Sequence, residues 1–128
     1  MTTMTTSPSN DERDIEALRR EYLDALDTLF TNSHHVHHAL DNAAAALTNV
    51  RDHIERGGLV SDLAHIIDPK SVRKSLTTSL DELERTRHHA QRVLFRILEA
   101  EGQRKTAIAR TWGISRQLVS RMIHEPDS

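Results

Sequence analysis

Apolar residues recur at alternating steps of three and four positions between Asp11 and about Arg56. The row comprises Ile15, Leu18, Tyr22, Ala25, Leu29, Val36, Ala39, Ala43, Ala46 and Val50, and Leu26, Leu40, Leu47 and Ile54 widen it on one side. This period predicts a helix whose apolar face is broad enough for packing in a helical bundle. We expect Gly57 and Gly58 to end it.

Two features of this segment bear on its architecture. Residues 31–33, Thr-Asn-Ser, could cap a second helix, so whether residues 11–56 form one helix or two stays open. A single helix would be about 69 Å long at 1.5 Å per residue. The alanines at 43–46 allow another helix to approach closely, and a long isolated helix cannot bury such a face by itself. We therefore expect a homodimer that forms through the N-terminal helices.

A second long helix follows the short segment 59–67. Asp68 is a candidate N-cap and Pro69 suits the first helical position. Apolar residues then continue at heptad-like spacing to about Ala100, at Leu76, Leu80, Leu83, Ala90, Leu94 and Ile97. We expect Gly102 to stop this helix.

The segment 108–123, IARTWGISRQLVSRMI, cannot be one uninterrupted helix without cost. A glycine in a helix interior costs about 1 kcal/mol, and serine is better placed as a cap. The segment instead supplies the parts of two short helices joined by a tight turn. These parts are a first helix Lys105–Trp112 with the small Ala109 at the crossing, Gly113 in the turn, Ile114 returning to the core, Ser115 as N-cap, and an inner face of Val119 with Met122 or Ile123.

The spacing of Ala109, Gly113 and Val119 resembles the helix-turn-helix of phage repressors, resolvase-type recombinases and sigma-factor promoter readers. The resemblance covers residues 88–124, where helix 88–100 would support a trihelical domain. It implies that the second helix enters the major groove of DNA. Base-reading residues would be Arg116, Gln117, Ser120 and Arg121, and phosphate contacts would come from Arg104, Lys105, Thr106, Arg110 and Ser115. We interpret Leu118 as a packing residue and Trp112 as a core residue.

Charge is distributed unevenly along a chain whose net charge is only −2. Residues 11–30 contain seven acidic side chains and three arginines, whereas residues 102–124 contain five basic side chains and no acidic one. The basic end favours an anionic partner and supports the DNA-binding interpretation over a plain helical hairpin.

Several other function classes find little support in the sequence. His34 and His38 could bind a metal ion from one helix face, but no carboxylate accompanies them, and we interpret the group His34, His35, His37 and His38 as solvated around a buried Val36. His53 is interpreted as a satisfied core or interface histidine. No nucleophile lies beside a base and no glycine-rich phosphate loop occurs, so we expect neither an enzyme nor a cofactor.

The remaining composition completes the prediction of an all-α protein. Cysteine is absent and no apolar run approaches the roughly 20 residues of a membrane span, which suits a cytoplasmic, nucleoid-associated protein. We expect a disordered tail at residues 1–10, a helical dimerisation region of bundle or coiled-coil type at 11–87, the helix-turn-helix domain at 88–124 and a short tail at 125–128.

The predicted function is sequence-specific binding of double-stranded DNA, as a dimeric transcriptional regulator of a bacterium, phage or plasmid that reads a near-palindromic site. Three alternatives stay open. They are an architectural or partition-type protein that bridges DNA, a protein–protein interaction module, and a histidine-based metal-responsive regulator.

Overall fold

The computed structural model describes residues 10–126, and every regular element in that range is helical. The elements are α1 (Asn10–Glu55), a short 3₁₀ helix (Val60–Asp62), α2 (Leu63–Ile66), α3 (Pro69–Ala100), α4 (Lys105–Trp112) and α5 (Arg116–His124). The predicted all-α class is therefore confirmed. Of the two expected tails, residues 1–9 and 127–128 lie outside the described residues, and Asn10 already belongs to α1.

The segment that could have been one helix or two is a single helix of 46 residues. Asn32, in the candidate cap Thr-Asn-Ser, is only 9% exposed. Its side-chain amide lies 3.3 Å from the hydroxyl of Thr86 in α3, so it contacts another helix instead of capping one. The helix therefore passes through the candidate cap without a break.

The end of α1 and both ends of α3 lie where the sequence predicts them. Gly57 adopts φ 89°, and the chain then turns away from α1. The backbone N–H of Ser71 donates to Oδ1 of Asp68 at 3.2 Å, which confirms Asp68 as the cap of α3, with Pro69 first in the helix. Gly102, at φ 99°, follows the end of α3 at Ala100.

Residues 28–87 form one compact unit, built from the second part of α1, the two short helices and the first part of α3. Its buried side chains on α1 are small or polar: Asn32, Val36, Ala39, Ala43 and Val50. His53 makes a 2.9 Å contact from Nε2 to Oδ2 of Asp62, so this histidine has a partner, as predicted. Gly58 leaves room for the imidazole, because a Cβ there would overlap the ring.

The apolar residues that widen the predicted apolar row of α1 are not all covered within the single chain. Leu40, Leu47 and Ile54 are 49%, 53% and 42% exposed. The buried row consists of alanine, valine and one asparagine, all small or medium-sized, and the larger side chains at its edge are left at the surface.

The second compact unit joins residues 10–27 to residues 88–126. Its core consists of Phe95 from α3, Ile108 and Ala109 from α4, and Val119, Met122 and Ile123 from α5. Phe95, Ile108 and Val119 are completely buried. All three inner-face candidates of α5 are therefore used, and the C-terminal part of α3 shares one small core with α4 and α5.

Substitution of Gly113 tests whether the chain turns between α4 and α5, because the sign of the change in the free energy of unfolding differs between a turn and a continuous helix. The φ of 67° at Gly113 lies in the left-handed region, and nothing lies within 4 Å of an added Cβ. We expect Gly113→Ala to lower the free energy of unfolding by about 1–2 kcal/mol through backbone strain alone, and Gly113→Asn to lower it less. Urea unfolding followed by circular dichroism measures both variants. If α4 and α5 were one continuous helix, the alanine variant would instead gain about 1 kcal/mol.

Candidate nucleic-acid interface

The turn between α4 and α5 is built around a single carbonyl group. The backbone N–H of Gly113 bonds to the carbonyl oxygen of Ala109, and the N–H of Ile114 donates to the same oxygen at 3.1 Å. Ala109 is 7% exposed and Ile114 packs against the core cluster. The positions predicted for the crossing, the turn and the returning apolar residue are thus occupied as expected.

Ser115 begins α5 as its N-cap. Its Oγ accepts a hydrogen bond of 3.1 Å from the N–H of Leu118, and its backbone is extended at φ −75° and ψ 152°. A serine cap satisfies one of the four amide groups that a helix start leaves without an internal partner. Leu118 itself is half-buried against the core, as the packing interpretation predicted.

The two edges of α5 differ in exposure. Val119, Met122 and Ile123 are buried, whereas Arg116, Gln117 and Arg121 are exposed. Ser120, the fourth candidate for base reading, is half-buried between the two edges. The helix therefore presents two arginines and a glutamine on one side while its opposite side is fixed in the core.

Three of the predicted backbone-contacting residues line one shallow groove. A groove of about 410 Å³ is lined by Glu99, Gln103, Arg104, Lys105, Thr106 and Arg116. It therefore unites the start of α4 with Arg116, the first residue of α5. Arg110 is exposed on α4 but does not line this groove, and Ser115 acts as the cap described above.

The C-terminal end of α5 is held by arginines that sequence reasoning missed. Arg96 of α3 donates from Nε to the carbonyl of Ile123 at 2.9 Å and from its terminal nitrogen to that of Glu125 at 2.6 Å. Arg92, 5% exposed, donates to the carbonyl of Pro126 at 3.3 Å. The last carbonyls of a helix are the negative end of its dipole, so cationic side chains stabilise them. A regular polar position on an amphipathic helix carries no sequence signal for such a role.

The side chain of Glu125 also contacts α3. Its Oε2 lies 2.9 Å from Nε2 of His88 and 3.9 Å from a guanidinium nitrogen of Arg92. The hydrogen bond from His88 lowers the pKa of the Glu125 carboxyl, and the nearby charges of His88, Arg92 and Arg121 act in the same direction. Residues 125 and 126, expected to be a tail, thus contact α3.

Trp112 corrects one prediction. It was interpreted as a core residue, yet it is 45% exposed. Its ring meets that of Phe95 edge to face, with centroids 5.6 Å apart and an interplanar angle of 71°. As the last residue of α4, just before the backbone turns at Gly113, it has core atoms on one side only.

The remaining candidate chemistry is sparse. Val36 is buried and the histidines around it, His34, His35, His37 and His38, are exposed, as predicted. Within residues 10–126, no three potential metal ligands come together, including at His34 and His38. No helix among the same residues has the length and apolar character needed to cross a membrane.

We compared the chain with known proteins and found no relative. No protein-family model, no curated protein and no solved structure matches the chain.

The Glu125 contact predicts a specific titration behaviour. Because the pKa of Glu125 is lowered, its ionised form favours the folded state above the ordinary value of 4.5, and this contribution is lost as the pH falls through the lower folded-state pKa. We expect NMR titration of the Glu125 side chain to give a pKa below 4.5 in the wild type. The pKa should rise towards the ordinary value in His88→Ala. Equal pKa values in the two proteins would contradict the contact.

Proposed function

We propose that this chain binds double-stranded DNA sequence-specifically, with α5 in the major groove. One observation carries the proposal: α5 is buried along Val119, Met122 and Ile123 and exposed along Arg116, Gln117 and Arg121. The left-handed turn at Gly113 and the Ser115 cap agree with the helix-turn-helix pattern that the sequence resembles.

The exposed side chains suit the edges of base pairs. Arginine can donate two hydrogen bonds to O6 and N7 of guanine, and glutamine can form two with N6 and N7 of adenine. Arg116 and Gln117 stand at the N-terminal end of α5, the end that reads bases in this class of motif. Ser120 and Arg121 lie one turn further along and would contact neighbouring bases or phosphates.

Backbone contacts would orient the helix. Arg104, Lys105 and Thr106 line the same groove as Arg116, at the start of α4, and Arg110 adds a further exposed cation. Such contacts carry no sequence information but supply much of the affinity. Binding should weaken as salt rises, with a slope near −0.9 for each phosphate neutralised, in log affinity against log salt concentration.

Substitution on α5 tests the base-reading role. We expect Arg116→Ala/Gln117→Ala to lose about tenfold or more in affinity for the preferred duplex, because each well-formed pair of bonds to a base is worth about 1–3 kcal/mol. Fluorescence anisotropy at moderate salt measures the affinity. Arg73→Ala/Lys74→Ala is the control: it removes two positive charges from exposed positions of α3, outside the interface. If the two double variants lost equal affinity, α5 would not read the bases.

We further infer that the protein acts as a homodimer through α1. Phe30, Leu40, Leu47 and Ile54 are each at least 42% exposed and are separated by 10, 7 and 7 positions. Each separation is a sum of three- and four-residue steps, which is the spacing of a helix–helix seam. This seam is distinct from the buried row of α1.

The charge of the unit formed by residues 28–87 suits a second copy of the same unit. It contains eight acidic and seven basic side chains, so two copies would repel each other little. A two-fold dimer would present two copies of α5 to half-sites one helical turn of DNA apart, about 34 Å. The proposed role is therefore that of a dimeric regulator of transcription on a near-palindromic site.

The middle of the seam is the place to test the dimer. Leu47→Glu puts a charge at a 53% exposed seam position, and we expect sedimentation equilibrium to show a shift from dimer to monomer. Asn49→Glu adds the same charge at an exposed position two residues away, on another side of α1, and should leave the dimer intact. A wild-type monomer, or equal dimerisation of both variants, would contradict the inferred interface.

A further inference from the structure

Glu99 brings a negative charge into the groove that contains the candidate phosphate contacts at the start of α4. The groove also contains Arg104, Lys105, Thr106 and Arg116. Oε2 of Glu99 lies 3.5 Å from Nζ of Lys105. The Lys105 side chain is 24% exposed and that of Glu99 is 40% exposed, so the pair is partly withdrawn from solvent. The ammonium group therefore already has an anionic partner before any DNA arrives.

We propose that Glu99 competes with DNA phosphate for Lys105 and thereby sets the affinity of this protein for the DNA backbone. This inference rests on the proposed function. A phosphate oxygen approaching Lys105 meets the Glu99 carboxylate at the same nitrogen, so it must displace the carboxylate or bind beside a like charge. Either event costs free energy that a chain without this carboxylate would not lose.

The position of Glu99 gives it little value for the stability of its own helix. It is the second-last residue of α3, where the unpaired carbonyls form the negative end of the helix dipole and an acidic side chain is unfavourable. Its backbone carbonyl, which accepts from the N–H of Gly102 at 3.0 Å, stays in place when the side chain changes. Glu99→Gln thus removes the charge and keeps the shape and the helix end.

Glu101 provides a matched control two residues further along the chain. It also carries one negative charge and also pairs with a cation, since its Oε1 lies 3.3 Å from a guanidinium nitrogen of Arg19. It does not line the groove. Glu101→Gln therefore changes the net charge by the same amount as Glu99→Gln. It also releases a basic partner, but that partner is Arg19 and not Lys105.

The experiment measures binding of a random-sequence duplex at several salt concentrations by fluorescence anisotropy. An exposed or half-exposed ion pair is worth up to about 1 kcal/mol, so Glu99→Gln should tighten binding about two- to fivefold at low salt. The salt slope should steepen by up to about 0.9, one additional phosphate contact. Glu101→Gln should change the affinity and the salt slope much less. In a protein that already carries Lys105→Gln, adding Glu99→Gln should have no further effect on either. Thermal unfolding confirms that each variant is folded.

The possible outcomes separate this inference from the proposed function. If the wild type binds the duplex and Glu99→Gln matches Glu101→Gln, the competition is refuted while DNA binding stands. If Glu99→Gln still tightens binding when Lys105 is glutamine, the carboxylate acts through general repulsion and the proposed competition is also refuted. If neither the wild type nor any variant binds the duplex, the proposed function fails and this inference fails with it.

Discussion

The left-handed backbone at Gly113 is the constraint on which the rest of the C-terminal unit depends. With φ 67° and ψ 33°, this residue turns the chain so that both its own N–H and that of Ile114 reach the carbonyl of Ala109. A residue with a Cβ adopts this conformation only at a cost, so the glycine makes the turn accessible. The turn brings Val119 of α5 into the same buried cluster as Ile108 of α4 and Phe95 of α3.

Both ends of α5 are then fixed by polar contacts, while its outer edge remains exposed. Ser115 caps the start, and Arg96 binds the carbonyls of Ile123 and Glu125 at the end. A helix held along one side and at both termini presents its remaining side chains without further ordering, which lowers the entropic cost of binding. On the exposed edge stand Arg116, Gln117 and Arg121, and this division between a fixed side and a polar side supports the proposal of DNA binding.

The sequence predicts local features of this fold better than contacts between distant segments. Gly113 acts through its own backbone, and Ser115 and Asp68 accept from backbone N–H groups three residues ahead, so their type and spacing suffice to place the turn and the caps. The continuity of α1 was undecided because Thr-Asn-Ser could cap a helix, and the contact that Asn32 makes instead, with Thr86, lies 54 positions away. The role of Arg96 was missed for the same reason, since its partner Ile123 lies 27 positions away and an arginine on an amphipathic helix resembles any solvated residue. The exposure of Trp112 depends on which side of its ring Phe95 covers, and spacing does not encode that.

Selection of bound duplexes from a random pool tests the central claim most directly, because it asks whether α5 distinguishes base sequences. We expect recovery of a recurring motif, arranged as two inverted half-sites with centres about 10–10.5 base pairs apart. The same selection with Arg116→Ala/Gln117→Ala should lose that motif. If the wild-type protein retains no duplex, or retains duplexes with no shared sequence, α5 does not read bases.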